Sequence, residues 1–261
     1  MGLRDNIDLA TSLAASSLRA WRGTDRFSAA PLQPEKLLEL YEFEGCPYCR
    51  LVREVLTELD IDAMIYPCPK GGTRFRPQVV EQGGKAQFPW LHDPNTGQQM
   101  YESADIIRYL LATYGQRSVS GGGLQRRLDV LSSSLATASR GVRGIRARAS
   151  RAPEQPLELY SFESSPYSRR VRELLSELEI PYRLRNTGKA YWREYGPSSV
   201  RVRFSPDLPV KGRNRIALHE RTGRLQVPYL IDPNTGEEMF ESAAIKRYLL
   251  KTYAAQPNEA G

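Results

Sequence analysis

Cysteine and histidine are both scarce, with three and two residues among 261. Three cysteines are too few for a disulfide framework, and they point to a reducing compartment with redox or metal chemistry. A zinc site at a cysteine pair would need two further ligands, and the only histidines are His92 and His219. Long apolar runs are missing as well. No stretch of about 18 apolar residues occurs, so no transmembrane helix and no membrane partner are expected. Asn6 stands where N-myristoylation after Gly2 would require Ser or Thr. Residues 1–30 are rich in Ser, Ala and Arg, yet Asp5, Asp8 and Asp25 do not suit an organellar transit peptide. We expect a structural helix there and a cytoplasmic chain, with an organellar stroma or matrix as the alternative.

The chain has ordinary globular content, 40% hydrophobic and 26% charged with a net charge of +7, and enough length for two domains. Its organisation shows in a repeat. Cys46-Pro47-Tyr48-Cys49 returns as Ser165-Pro166-Tyr167-Ser168. The lead-in Leu38-Glu39-Leu40-Tyr41 returns as Leu157-Glu158-Leu159-Tyr160, at an offset of 119 residues. From Phe88-Pro89 and Val227-Pro228 onward the offset is 139, so the second copy carries about 20 extra residues in its middle. Asp93-Pro94-Asn95-Thr96-Gly97 matches Asp232-Pro233-Asn234-Thr235-Gly236, and Glu102-Ser103 matches Glu241-Ser242. A weaker echo links Arg19, Arg22 and Gly23 to Arg140, Arg143 and Gly144, which also argues that the N-terminal segment belongs to the fold.

Each copy reads β-α-β-α-β-β-α. Residues 38–43 and 62–66 have strand character, and Val52, Val55, Leu56 and Leu59 fall on one helical face. Residues 74–83 suit a short helix. The DPNTG sequence has the chemistry of a hairpin turn, and Ile106, Ile107, Leu110 and Tyr114 mark a last buried helix face. The pattern predicts an α/β architecture with a mixed sheet in each copy. Expected boundaries are a helical segment at 1–36, a first domain at 37–115, a basic helical linker at 116–155 and a second domain at 156–254. Within the linker, Leu124, Leu128, Leu131 and Leu135 mark a helix.

The CPYC sequence has a physical logic at a helix start. Pro47 suits the first helical position, where a missing N–H costs nothing. Cys46 then sits at the N-terminus, where free amides and the helix dipole favour a thiolate. Cys49, one turn on, is placed to close a disulfide and release a bound partner. Arg50 and Arg53 are expected to deepen the fall in the Cys46 pKa, with Glu42 and Glu44 opposing it. A buried structural pair and a metal site are the alternatives.

These motifs resemble a known family. CPYC looks like the dithiol motif of glutaredoxins, Phe88-Pro89 resembles the cis-proline turn of the thioredoxin fold, and Glu102-Ser103 with Ile106 and Ile107 resembles the E-S-x-x-I element of glutathione transferase N-terminal domains. The resemblance covers roughly 38–114 and 157–253. It implies two tandem thioredoxin-like domains of mixed four-stranded sheets, with glutathione as cosubstrate. It also implies a glutathione site of Tyr48, Phe88, Pro89, Glu102 and Ser103, in which Cys46 meets the glutathione sulfur, the backbone of Phe88 beside Pro89 pairs with the cysteinyl part, and Glu102 and Ser103 take the γ-glutamyl end. Two departures stand out. Glu42 and Glu44 lie where a glutaredoxin commonly has a basic residue, and the all-helical domain of a transferase is replaced by a second thioredoxin-like copy.

The second copy lacks thiols, but Ser165, Tyr167, Val227, Pro228, Glu241 and Ser242 outline a candidate second cleft. Residues 183–224 hold eleven Lys or Arg against three acidic residues, interleaved with Tyr191, Trp192, Tyr195 and Phe204, which marks a candidate surface for an anionic ligand. Cys68 follows the second strand, and we expect a bystander there, with an extra redox thiol as the alternative. The resemblance implies a glutathione-dependent thiol–disulfide oxidoreductase acting on a disulfide, a glutathionylated protein or a small molecule. A glutathione transferase or isomerase, and a non-catalytic adaptor holding glutathione or an iron–sulfur cluster, are the alternatives.

Overall fold

The computed structural model describes residues 2–118, 122–195 and 209–255. Helix α1 (Leu3–Leu18) comes first. The first repeat runs β1 (Leu38–Glu42), α2 (Pro47–Glu58), β2 (Ala63–Pro67), α3 (Arg76–Gly83), β3 (Trp90–Asp93), β4 (Gln98–Tyr101) and α4 (Ser103–Thr113). Helix α5 (Gly123–Ala138) joins it to β5 (Leu157–Ser161), α6 (Pro166–Glu177), β6 (Tyr182–Asn186), α7 (Arg213–Thr222), β7 (Tyr229–Asp232), β8 (Glu237–Phe240) and α8 (Ser242–Tyr253). Each repeat is a thioredoxin-like unit in which the first two strands are parallel and the closing hairpin is antiparallel.

The two expected four-stranded sheets are one sheet. Its eight strands run β4-β3-β1-β2-β6-β5-β7-β8, joined where β2 and β6 pair antiparallel through Ala63–Leu184, Met64–Arg183 and Ile65–Tyr182. One hydrophobic cluster follows the joint, running from Leu38, Leu40, Val52 and Ile65 to Leu159, Val171 and Leu184. Edge strands present unpaired N–H and C=O groups, and here the β2 edge of one unit and the β6 edge of the other cover each other, leaving β4 and β8 at the outer edges.

The helices before each unit cover the opposite unit. Helix α1 lies on α6, with Ser12 Oγ donating to the Pro166 carbonyl at 2.8 Å. Helix α5 lies on α2, with Ser133 Oγ donating to the Pro47 carbonyl at 2.7 Å. Arg19 pairs with Glu54 at 2.6 Å and reaches Asp129, and Arg140 pairs with Glu173 and with Asp8 at 2.7 Å. The echo of Arg19 in Arg140 is therefore an ion pair made twice. Gly144 has φ +68, and a Cβ there would lie 2.9 Å from the Glu44 Cβ. Gly23 meets Glu163 in the same way at 2.8 Å. Only glycine permits that approach.

Helix α5 forms where its leucines mark it, but they are not its buried face. It buries Ser133, Ala136 and Thr137, whereas Leu124, Leu128, Leu131 and Leu135 are 72%, 51%, 57% and 52% exposed. Small residues let α5 sit close on α2, and that turns the leucines outward. We expect Leu128→Gln or Leu131→Gln to change stability by under about 0.5 kcal/mol, and Ala136→Leu to cost about 1–3 kcal/mol by overpacking. Urea denaturation of the three variants checks this.

In the basic insert, Arg201, Arg203 and Phe204 lie outside the described residues. The described cations are largely engaged within the chain. Arg183 and Arg213 meet Asp62, Arg185 meets Glu158, Arg215 meets Glu194 and Arg221 meets Glu238. Lys189 lies over Phe162 and Tyr195, and Lys211 lies over Tyr191.

Candidate active site

Cys46 is the N-cap of α2, in extended backbone conformation, and its sulfur accepts the Cys49 N–H at 3.3 Å. All three cysteines are free thiols. Burial pushes the Cys46 pKa up, but hydrogen bonds from the Cys49 thiol and from the Cys49 and Tyr48 amides outweigh it, and the net direction is down. Cys49 moves the other way. Burial and its bond to Cys46 hold it well above the ordinary thiol value. One sulfur is thus disposed to be a thiolate and its neighbour a thiol.

The arginines expected to help Cys46 do other work. Arg53 is held by Glu42, by Glu44 at 3.1 Å and by Glu163 at 2.8 Å, and Arg50 is buried beside Thr137. Hydrogen bonds at the helix start, rather than those side chains, lower the Cys46 pKa. Cys46 is also more enclosed than a helix-start position suggests, at 3% exposed, while Tyr48 is 47% exposed. Cys68 does not join the site. It is buried in a separate cluster with Tyr41, Val79 and Trp90, where burial pushes its thiol up.

Strand pairing brings the other expected residues to the same sheet end. Tyr41 on β1 faces Trp90 on β3, and Trp90 faces Tyr101 on β4. The cis Phe88–Pro89 bond just before β3, the end of β1 and Glu102 just after β4 are therefore neighbours. Phe43 meets Phe88 edge-on at 6.2 Å. Glu102 has φ +66, an unusual conformation for a non-glycine residue that costs about 1–3 kcal/mol, and Gln87 donates to its carboxylate. No side chain caps the first turn of α4, and Ser103 is buried there. The Glu102 carbonyl takes the Asp105 and Ile106 amides, but no N-cap side chain accepts at this helix start, which is where a carboxylate ligand is favoured.

The second unit repeats this geometry without sulfur. Ser165 is the N-cap of α6 and accepts the Ser168 N–H at 3.2 Å. Val227–Pro228 is cis, Glu241 has φ +70, and Gln226 donates to Glu241, with Ser242 opening α8. Tyr167 matches Tyr48 at 47% exposed. Gln87 and Gln226 were not singled out as site residues from sequence, although their alignment in the repeat carried that signal.

Two cavities flank the start of α5. One, of about 560 Å³, is lined by Tyr48, Arg126, Arg127 and Leu131. The other, of about 530 Å³, lies between α2, α4 and α5 and includes Ser103, Arg22, Arg108, Arg117 and Arg126. Among the described residues no group of three or more His, Cys, Asp or Glu is arranged to hold a metal ion, and no helix is long and apolar enough to cross a membrane.

Residues 40–118 and 159–257 each match the family model of the glutathione S-transferase N-terminal domain. The chain belongs to that family and carries its domain twice. Among solved structures, the glutathione transferase BmGSTD1 of Bombyx mori is 24% identical over 33% of this chain and 39% of that one, with a TM-score of 0.30. The match thus spans less than half of the Bombyx mori protein. Leishmania TDR1, a trimeric glutathione transferase, is 14% identical over 85% of this chain and 68% of that one, with a TM-score of 0.28. No curated protein matches the chain significantly.

The two dispositions of sulfur lead to an expected labelling order. Iodoacetamide at neutral pH should alkylate Cys46 first, leaving Cys49 and Cys68 unmodified until the protein unfolds. Peptide mass mapping against pH reads the order, and first labelling at Cys49 or Cys68 would overturn it.

Proposed function

We propose that the chain is a glutathione-dependent thiol–disulfide oxidoreductase. Cys46 thiolate attacks a mixed disulfide and takes up glutathione, and Cys49 or a second glutathione then releases it. The observation that carries this reading is the paired disposition at the start of α2, a thiolate-favoured Cys46 hydrogen-bonded to a protonated Cys49. The neighbouring cis-proline and uncapped α4 start fit a bound tripeptide, with Phe88 at its cysteinyl part and Glu102 and Ser103 at its γ-glutamyl end. Arg108, Arg117 and Arg126 line the cavity next to Ser103 and suit its carboxylates. In the second unit, Ser165 and Ser168 cannot exchange disulfides, and we assign that unit a structural role.

The same cavity of about 530 Å³ is large enough for a second small substrate, which is the observation favouring the transferase reading. The two are separated by parallel assays. Glutathione-coupled reduction of a mixed disulfide without conjugation of an electrophile supports the oxidoreductase, and the reverse pattern supports the transferase.

A further inference from the structure

The two units provide an internal comparison for the buried charges under the CPYC helix. Around the joint lie Glu42, Glu44, Arg50, Arg53 and Glu54 of the first unit, all buried. Four of these recur as Glu163, Arg169, Arg172 and Glu173. They form a shared framework in which Arg53 Nε donates to Glu163 at 2.8 Å and Arg172 Nε donates to Glu44 at 3.1 Å. Glu42 alone is not repeated. Its counterpart is Ser161, which accepts from Arg172 Nη1 at 2.8 Å, as Glu42 accepts from Arg53. The carboxylate is thus absent where the cysteines are replaced by Ser165 and Ser168, while the charges that hold the units together remain. A purely structural carboxylate would not be expected to follow the sulfurs.

Its place in the fold agrees. Side chains alternate along a strand, so Glu42 shares the β1 face of Leu38 and Leu40, which pack against Val52, Val55 and Leu56 of α2. It is tied to Arg53, one helical turn from Cys49 on the same face of α2. We propose that Glu42 accepts the proton of Cys49 when that thiol resolves the mixed disulfide on Cys46, an inference that rests on the oxidoreductase reading above. As the proton passes to the carboxylate, the Cys49 sulfur attacks Sγ of Cys46. The Cys46–glutathione S–S bond breaks, a Cys46–Cys49 S–S bond forms, and glutathione leaves as its thiolate. Oxidation state is exchanged between sulfurs with no outside oxidant. Cys49 is fully buried and has no solvent face through which to lose the proton.

The electrostatics suit a proton acceptor. Burial pushes the Glu42 carboxyl up to about 7, with Glu44 and Glu163 pushing the same way against Arg53 and Arg172. Burial would also raise Glu163, but Arg172, Arg53 and Arg50 hold it at about 2. Glu42 is sensed by Cys46 at the N-cap of α2, by Cys49 and Arg53 on α2, by Cys68 after β2 and by Tyr182 on β6. A base acts when deprotonated, so resolution should quicken as pH rises through about 7 and then level off.

The test mixes reduced protein with oxidised glutathione, quenches with acid and follows the Cys46 adduct and the internal disulfide by intact mass from pH 5.5 to 9, roughly spanning the Glu42 transition. Glu42→Ser copies an arrangement the second unit already accommodates, and Glu42→Gln keeps the size. Both should form the adduct yet resolve it about a hundredfold more slowly at pH 7.5, without the step near 7. Glu42→Asp should restore part of the rate and a shifted step. Glu163→Gln, which removes an equally buried partner of Arg53, should lower stability but keep the step. Unchanged resolution profiles in folded Glu42→Ser and Glu42→Gln overturn the role of Glu42. A parent that forms neither a Cys46 adduct nor the Cys46–Cys49 disulfide overturns the oxidoreductase reading itself.

Discussion

Cys46→Ser abolishes reduction of a glutathionylated substrate, by about a thousandfold or more, because no other described thiol is placed to attack. Cys49→Ser leaves the first step intact and accumulates glutathione on Cys46. Both variants should fold, since the second unit already holds serine at both positions, with Ser165 accepting the Ser168 amide in the geometry of Cys46 and Cys49. The two results therefore read chemistry rather than unfolding. Intact mass after treatment with oxidised glutathione shows one adduct on Cys49→Ser, none on Cys46→Ser, and an internal disulfide in the parent. An adduct on Cys49 in the Cys46→Ser protein, with turnover retained, would reverse the roles.

The parts legible in the sequence were those encoded locally. The Cys46–Cys49 spacing, Pro47 at the first helical position and the DPNTG turn each depend on a few adjacent residues, and each is found where expected. The repeat gave the order of elements along a unit, with a parallel opening pair and an antiparallel closing hairpin. The joint between units was not legible, because Ala63-Met64-Ile65 and Tyr182-Arg183-Leu184 read as ordinary strands whose pairing is a matter of three dimensions. The outward leucines of α5 were hidden for a related reason. Leucine spacing marks a helix, but which face is buried was decided by Ser133 and Ala136 meeting α2. Glu42 and Glu44 were visible only as acids near a thiol. Their different roles depend on Arg53 and Arg172, the latter more than a hundred residues away.

That joint leads to the second large effect. A chain ending after Arg151 should fail to give a folded monomer, although it contains α1, the complete first unit and α5. It would expose the β2 edge that β6 covers, and the part of the core that continues into Leu159, Val171 and Leu184. Helix α1 would lose its bed on α6, with Ser12 and Ser16 losing the Pro166 and Ser164 carbonyls and Asp8 losing Arg170. The buried network can be probed without truncation. Glu163→Ala leaves Arg53 and Arg172 without a shared carboxylate and should cost about 3–5 kcal/mol, a large part of an ordinary domain's stability. Because the two halves are built alike, the fragment's remaining route to burial is to pair β2 with β2 of a second copy. The expected outcome is accordingly an insoluble fragment or a dimer by light scattering, with a lowered melting temperature in either case. A soluble monomer that melts with the parent and keeps its activity would show that the first unit stands alone, and that the eight-stranded sheet is not what stabilises it.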